Sequence, residues 1–312
     1  LPTLLCVCLT FCSCGSNEST EKPSAVSSDT AAKDSSPATT DAAGSRDNTP
    51  VVLTGSADGT VTYGNDSVTV DASHTEEGYL MVSYSGSNSK VKLQITGSDE
   101  ITYTYNLHDG YETFPLTSGS GSYTVGVFEN IEGTSYSTLF TQAIDVTIQD
   151  EFGPYLYANQ YVNFSADSKV ISKAMELSAS ANDDLEVIEN VYNYIITNFT
   201  YDYDKAASVQ SGYLPNVDEV LASQTGICFD YAAVMASMLR CERIPTRLEV
   251  GYMGDVYHAW ISTYIKDKGW VNGIIEFDGN DWKLMDPTFA STSSDPKDFL
   301  TQTDEYITKY VY

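Results

Sequence analysis

Three residue types that together perform nucleophilic acyl transfer occur in order in the C-terminal half of the chain. Cys228 lies in the segment TGICFDYAAVMASMLRCERIP, His258 in DVYHAWISTYI, and Asp286 in DWKLMDPTFA. This chemistry needs a thiolate, an imidazole within hydrogen-bonding reach of it, and a carboxylate that orients the imidazole. The pattern therefore predicts Cys228 as the nucleophile, His258 as the base and Asp286 as the orienting carboxylate, against the alternative of three unrelated buried polar residues.

The segment around Cys228 is predicted to be a helix whose first turn contains that cysteine. Apolar residues follow at helical spacing, Thr225 is the expected N-cap residue, and Pro245 lies just beyond the expected end. Unpaired amides and the positive end of the dipole at a helix N-terminus stabilise a thiolate. Cys241 follows thirteen residues later, about 20 Å along a helix, whereas a disulfide needs Cα atoms within about 7 Å. We therefore expect Cys228 to be a free, reactive thiol and Cys241 to be an ordinary one.

The neighbouring elements are predicted to position the three side chains. After the connector EFGPYLYANQYVNF the apolar period changes from two to 3.6. SKVISKAMELSA and DDLEVIENVYNYIITNF are predicted as core-packing helices, the second with Asp183 and Glu186 spaced as a capping box, and VDEVLASQ as a third, shorter helix. His258 is expected in the second of two strands, RLEVGYM and DVYHAWISTYI. Asp286 is expected at the end of a later strand, immediately before Pro287.

The segments GICFDYA, YHAW and WKLMDPT resemble the three motif blocks of the transglutaminase-like superfamily, in a bacterial exported form. Their cysteine, histidine and aspartate are separated by 30 and 28 residues. The resemblance covers about residues 150–300 and implies a papain-like α+β domain over 151–312. It also implies that Cys228 attacks a carboxamide or peptide carbonyl to form a thioester, with His258 as base and Asp286 as the orienting group.

The same resemblance leaves the outcome of the reaction open. An amine acceptor gives a cross-link and water gives hydrolysis, and the superfamily includes cross-linking enzymes, peptidases, deglycosylating enzymes and members that have lost catalysis. The implied partner is a protein or peptide substrate, including peptides of the cell envelope. A catalytically silent peptide- or envelope-binding module, and a structural envelope protein, are the alternatives from other functional classes.

The backbone amide of Cys228 is expected to form half of an oxyanion hole. Animal cross-linking enzymes resemble one another in using a tryptophan upstream of the cysteine, but all three tryptophans of this chain lie downstream. Gln224 and Tyr201 are the candidates for the second donor, with a structural role as the alternative for each. The Asp-rich loops contain no calcium loop of EF-hand type, so we expect no metal and no other cofactor.

Several aromatic residues near the three motifs could line a narrow cleft that grips an extended peptide, or they could form the hydrophobic core, which is the favoured interpretation for most of them. They are Phe229, Tyr231, Tyr252, Tyr257, Trp260 and Phe289.

Residues 1–14, LPTLLCVCLTFCSC, are typical of an export signal. The run is uncharged, apolar and too short to span a bilayer as a mature helix. Its last four residues resemble a bacterial lipobox, which implies a lipid on Cys14, although Phe11 replaces the usual leucine. A plain secretory peptide is the main alternative, and a metal site formed by the cysteine cluster is less favoured. Residues 15–50 are rich in Ser, Thr and Ala and are expected to be a disordered linker.

Residues 51–150 are predicted to form an antiparallel β-sandwich, with an immunoglobulin-like topology as the expected arrangement. Short runs of alternating Val, Ile, Tyr and Thr are separated by Gly, Asn, Asp and Ser, although no Cys, Trp, Cys signature is present. His74 and His108 fall in predicted loops and are expected to be solvated. Binding or spacing is the expected role of this region.

Charge and cysteine content narrow the functional class further. The 312 residues include 16 Lys and Arg against 43 Asp and Glu, for a net charge of -27. Such a chain has no basic surface for nucleic acid or for an anionic membrane. We therefore expect membrane contact only through a lipid on Cys14. Four of the six cysteines lie within residues 1–14, so the folded part has no disulfide framework. The expected location is the extracellular face of a bacterial cell envelope, or the medium.

Overall fold

The computed structural model describes residues 44–272, 274–277, 282–285 and 306–312. The predicted export signal with Cys14, the predicted linker up to residue 43, and Asp286 lie outside the described residues.

The first part of the described chain forms two four-stranded antiparallel sheets, which confirms the β character predicted for residues 51–150. In sheet order, the first contains β1 (Thr62–Gly64), β2 (Val68–Asp71), β3 (Tyr79–Tyr84) and β6 (Gly110–Pro115). The second contains β5 (Thr102–Leu107), β4 (Val91–Thr96), β7 (Gly121–Glu132) and β8 (Ser135–Val146). Burial alternates residue by residue along β4, because successive side chains point to opposite faces of a sheet. The two sheets meet where the rings of Tyr105 and Phe114 pack edge to face, 4.7 Å apart.

Five helices follow, together with two short strands that pair in parallel. The helices are α1 (Lys169–Ser178), α2 (Asp184–Asn198), α3 (Tyr203–Ser208), α4 (Val217–Ser223) and α5 (Cys228–Cys241), and the short strands are β9 (Thr200–Tyr201) and β10 (Thr225–Gly226). Asp183 caps α2 by accepting the Glu186 amide at 3.0 Å. The predicted capping box requires the Glu186 carboxylate to accept a hydrogen bond from the Asp183 amide. It accepts one from the amide of Asn182 instead, one residue earlier. No helix within the described ranges has the length and apolarity needed to cross a bilayer.

The last strands form another antiparallel layer, which supports α5. Its four-stranded sheet has the order β13 (Gly269–Asn272), β12 (Val256–Ile265), β11 (Thr246–Met253) and β16 (Tyr306–Val311), and a separate hairpin contains β14 (Ile274–Phe277) and β15 (Trp282–Met285). Helix α5 contacts β11 and β12 as well as α1, α2 and α4. Residues 230–241 of α5 are all buried, as expected of a helix covered on every side.

Buried side chains from the β-rich part and from the helical part belong to one hydrophobic core. The rings of Tyr103 and Tyr105 lie 5.5 and 6.0 Å from the ring of Tyr312. Arg240, at the end of α5 and 1% exposed, donates to the backbone oxygens of Thr246 at 3.0 Å, Tyr157 at 2.7 Å and Tyr312 at 2.8 Å. A buried guanidinium thus ties α5 to three other segments of the chain.

Candidate active site

Helix α5 begins at Cys228, so the prediction that this residue lies in the first turn of a helix is confirmed. The N-cap residue is Ile227, and the prediction of Thr225 as N-cap is wrong. Thr225 belongs to β10, which is held beside β9 by backbone hydrogen bonds. The Ile227 amide donates to the Asp230 carboxylate at 2.8 Å, so a side chain inside the helix caps its N-terminus.

The two cysteines of the described chain differ sharply in environment. Both are free thiols, which confirms that they form no disulfide; Cys228 is half-buried and Cys241 is buried. Burial, assisted by the nearby Glu242 charge, raises the pKa of Cys241 to about 12. The Cys241 thiol donates to the backbone oxygen of Met238 at 3.1 Å. The expectation that Cys241 behaves as an ordinary thiol is therefore wrong, because its thiolate would be desolvated.

His258 lies on β12, directly opposite Gly251 of β11, and is 4% exposed. Its ring stacks on that of Trp260 with a centroid separation of 6.1 Å. Cys228 and His258 line the same cleft, which has a volume of about 540 Å³. The structure therefore brings together two of the three residues predicted to perform the chemistry.

Asp286, the third predicted residue, lies outside the described residues. The strand predicted before it is present as β15, which ends at Met285 and pairs with β14.

Tyr201, one of the two predicted oxyanion donors, lines the cleft from β9. Burial, together with the charge of a Cys228 thiolate and the neighbouring phenols, raises the pKa of Tyr201 to about 12, although a hydrogen bond from the Cys228 backbone acts in the opposite direction. Tyr201 therefore carries its proton at neutral pH, next to the backbone amide of the nucleophile. A protonated phenol in this position can donate to a developing oxyanion.

Gln224, the other predicted oxyanion donor, points elsewhere. It ends α4 in the left-handed conformation with φ of 50°, and its amide nitrogen lies 3.4 Å from the hydroxyl of Tyr194. It is not among the described residues that line the cleft. The turn that closes α4 thus directs this side chain towards α2.

The cleft is strongly aromatic. The aromatic side chains among the described lining residues are Tyr161, Tyr201, Tyr213, Phe229, Tyr257 and Tyr312, in addition to His258. Burial, followed by the charges of Tyr310, Tyr252 and Cys228, raises the pKa of Tyr257, so this phenol is also protonated at neutral pH.

The aromatic residues singled out from the sequence divide between the cleft and other places. Phe229 and Tyr257 line the cleft, Tyr231 and Trp260 are buried, and Tyr252 is exposed. Phe289 lies outside the described residues.

One wall of the cleft was not predicted from the sequence. It consists of Ala206 and residues 209–213, which belong to α3 and the loop after it. Helix α3 has only six residues and none of them is buried, so its sequence has no apolar periodicity from which a helix could be predicted.

The two histidines of the β-rich part pair with carboxylates and do not line this cleft. His74 Nε2 lies 2.9 Å from an Asp58 carboxylate oxygen, and His108 Nδ1 lies 3.1 Å from Glu112. Within the described ranges, no group of three or more His, Cys, Asp or Glu side chains is arranged to hold a metal ion.

Residues 171–273 match the family model described as the transglutaminase-like superfamily. The matched segment contains Cys228 and His258 and ends before Asp286. The chain is also 28% identical over 89 residues to UPF0252 protein MJ1282 of Methanocaldococcus jannaschii, a match that covers 27% of this chain and 24% of that protein. It therefore spans about a quarter of the length of this relative.

Among solved structures, the chain resembles a candidate cysteine protease of Cytophaga hutchinsonii with a TM-score of 0.35 and 18% identity, over 73% of this chain and 74% of that one. It also resembles the periplasmic domain of TgpA from Pseudomonas aeruginosa bound to ethylmercury, with a TM-score of 0.32 and 15% identity, over 73% of this chain and 97% of that one.

Proposed function

Because residues 171–273 form a transglutaminase-like domain, we propose that this chain is a cysteine acyl-transfer enzyme that acts on protein or peptide amides through a thioester. One observation carries the proposal. A free, half-buried thiol occupies the first residue of a buried helix and shares an aromatic cleft with a histidine from the adjacent sheet. Cys228 and His258 reach this cleft from α5 and β12, both of which contribute buried side chains to the core.

The first half-reaction forms the thioester. The Cys228 thiolate attacks the amide carbonyl carbon, and the carbonyl oxygen takes up the negative charge. The Cys228 amide and the protonated Tyr201 hydroxyl are the donors for that oxyanion. The tetrahedral intermediate collapses when the C–N bond breaks and the imidazolium of His258 gives its proton to the departing amine or ammonia.

The second half-reaction regenerates the thiol. Neutral His258 takes a proton from the acceptor, which attacks the thioester carbonyl and expels the Cys228 thiolate. A lysine amine as acceptor gives an isopeptide cross-link, and water gives a carboxylic acid. Asp286 is proposed to hold the imidazole in the tautomer that this cycle needs.

A silent binding module is the second candidate function. The aromatic cleft supports it, because rings with protonated hydroxyls can hold an extended peptide by packing and hydrogen bonding without chemistry. In that case Cys228 is an ordinary thiol, and peptides stabilise the fold without being consumed.

A paired assay separates these outcomes. The purified chain is incubated with a glutamine-containing protein and a labelled primary amine, and in parallel with cell-wall-type peptides. Incorporation of the amine supports transfer, whereas peptide cleavage or ammonia release without incorporation supports hydrolysis. Either activity should disappear in Cys228→Ala and persist in Cys241→Ala, the matched control for removing a thiol.

If neither activity appears across these substrates while Cys228 is alkylated no faster than in the unfolded chain, the acyl-transfer proposal fails. A peptide-dependent rise in melting temperature under those conditions supports the binding module.

The location of the protein is proposed from residues 1–14. We infer that Cys14 carries a lipid that tethers the enzyme to the outer face of a bacterial envelope, with release into the medium as the alternative. Incorporation of labelled palmitate into the wild type but not into Cys14→Ala tests the anchor.

An immunoglobulin-like sandwich is proposed for the two N-terminal sheets, acting as a spacer or a binding platform. The proposal is supported by strand pairing, because β3 pairs with β2 and β6 in one sheet while β4 pairs with β5 and β7 in the other. Immunoglobulin-like sandwiches divide strands B and E from strands C and F in the same way.

A further inference from the structure

Asp230 is a buried carboxylate two residues beyond the nucleophile, and the acyl-transfer steps above do not use it. It is 0% exposed and accepts three hydrogen bonds. The donors are the Lys205 ammonium at 2.6 Å, the Tyr213 hydroxyl at 2.5 Å and the Ile227 amide at 2.8 Å. A carboxylate removed from water in this way requires such partners.

Lys205 directly precedes the unpredicted cleft wall, and Tyr213 is its last residue. Lys205 is in α3, whose N-cap Asp202 accepts the Lys205 amide at 2.8 Å, and Tyr213 closes the loop that follows. Lys205 Nζ also donates to the Tyr213 hydroxyl at 2.7 Å and lies 4.4 Å from the centre of its ring. Both parts of the wall are therefore tied to one carboxylate at the N-terminus of the nucleophile helix.

The other described contacts of the wall are mainly at its ends. The Asp202 amide donates to the Gly226 oxygen at 2.9 Å, and the ring of Tyr213 lies 6.4 Å from that of Phe229. A helix of six residues is unstable alone, and α3 buries none of its side chains. At the far end, Gly212 has φ of +88°, and a Cβ atom there would lie 2.3 Å from the side-chain nitrogen of Asn106 in β5. The wall thus contacts β5 on one side, and on the other side the hydrogen bonds to Asp230 hold it next to α5.

We propose that Lys205, Tyr213 and Asp230 form a latch that holds residues 206–213 over Cys228 and thereby limits the size of the group that reaches the thiol. The three are positioning residues. Where the group that reaches the thiol is an acyl donor, the inference rests on the proposed function. With the latch closed, a narrow side chain enters the cleft and a bulky one is excluded. With the latch broken, the wall moves out and the discrimination falls.

The latch stays charged at neutral pH. Burial lowers the pKa of Lys205, but the hydrogen bonds and charges of Asp230 and Tyr213 outweigh it and raise that pKa above its ordinary value. Burial, and then the Asp230 contact, raises the pKa of Tyr213 to about 12. The pairing of ammonium, phenol and carboxylate is therefore maintained under assay conditions.

The test compares two neutral alkylating reagents on the full chain, N-ethylmaleimide and a pyrene maleimide, and follows labelling of Cys228 by mass spectrometry. The measured quantity is the ratio of the bulky to the small rate constant. We expect Lys205→Met, which keeps an aliphatic stem, to raise that ratio at least about tenfold, because it removes the hydrogen bonds that the ammonium donates to Asp230 and Tyr213, and loss of even one charge-assisted hydrogen bond shifts an open-closed equilibrium by that order. Tyr213→Phe should raise it less.

The matched control is Lys173→Met, which removes a lysine from an i,i+3 ion pair with Glu176 on α1 and should leave the ratio unchanged. An unchanged ratio in both latch variants, with native circular dichroism, overturns the proposal. If Lys205→Met fails to fold, Tyr213→Phe alone decides.

The size ratio is independent of turnover. If Cys228 is catalytically inert, both rate constants are low but the variants still change their ratio, so failure of the latch and failure of the proposed function are distinguishable.

Discussion

Native-state alkylation should label Cys228 and leave Cys241 untouched. With its pKa at about 12, Cys241 is a thiolate in only about three of 100,000 molecules at pH 7.5. An ordinary thiol with a pKa of about 8.5 is a thiolate in about one molecule in ten. Burial therefore lowers the thiolate population of Cys241 about 3,000-fold below that of an ordinary thiol, before its steric protection is considered.

The low thiolate population of Cys241 decides which comparison can measure the activation of Cys228. Since Cys241 is suppressed by burial, a large preference for Cys228 over Cys241 does not by itself show an activated nucleophile. The appropriate reference is Cys228 in the same chain unfolded in urea. Activation by the helix N-terminus and by His258 should make the native rate exceed the unfolded rate below about pH 7.

The assay uses iodoacetamide from pH 5 to 9, with tryptic cleavage after Arg240 placing the two cysteines on separate peptides. Labelling of native Cys241 within tenfold of Cys228 would refute the burial argument. Native and unfolded Cys228 rates that follow the same pH curve would refute activation.

Three further outcomes are expected. His258→Gln should lower the native alkylation rate of Cys228 at pH 6 about tenfold or more with circular dichroism unchanged, since an imidazolium no longer stabilises the thiolate; an unchanged rate would mean that the two side chains are not coupled. Arg240→Met should lower the free energy of unfolding by about 3 kcal/mol or more in urea titrations, because three backbone oxygens lose a buried donor; an unchanged midpoint contradicts this. Burial raises the pKa of Asp71, but hydrogen bonds from Ser73 and from a second backbone amide outweigh it and the pKa is lowered. The stability from Asp71 is therefore present above pH about 3.9 and is lost as the pH falls through the lower folded value. Asp71→Asn should therefore make the free energy of unfolding fall less steeply in acid, and an identical acid limb would exclude the effect.

The long helices were predictable because their signals are local. The segment 183–199 combines a capping residue with an apolar stripe, and it forms α2 over Asp184–Asn198. Helix α3 was missed, since its sequence YDKAAS has no apolar stripe and it is held by contacts to Asp230, which is distant in the sequence. The N-cap of α5 was misassigned because the Thr225 backbone pairs with β9, which lies 25 residues earlier.

The chemistry of the site was predictable in part. Residue type, order and spacing pointed to Cys228 and His258, and the structure places both in one cleft; their catalytic roles stay a prediction. The sequence offered no basis for choosing between Tyr201 and Gln224 as the second oxyanion donor. Only the folded arrangement places the first in the cleft and turns the second towards Tyr194.

Local sequence therefore determined the helical and strand elements with strong periodicity, the position of Cys228 in the first turn of its helix, and the match of residues 171–273 to the transglutaminase-like family model. Tertiary structure decided the shared cleft, the pKa of Cys241 near 12 and the three donors on Asp230. The physical reason is that helix propensity and capping depend on neighbours within a few residues. Desolvation, ion pairing and the width of a cleft depend on residues that only the fold brings together.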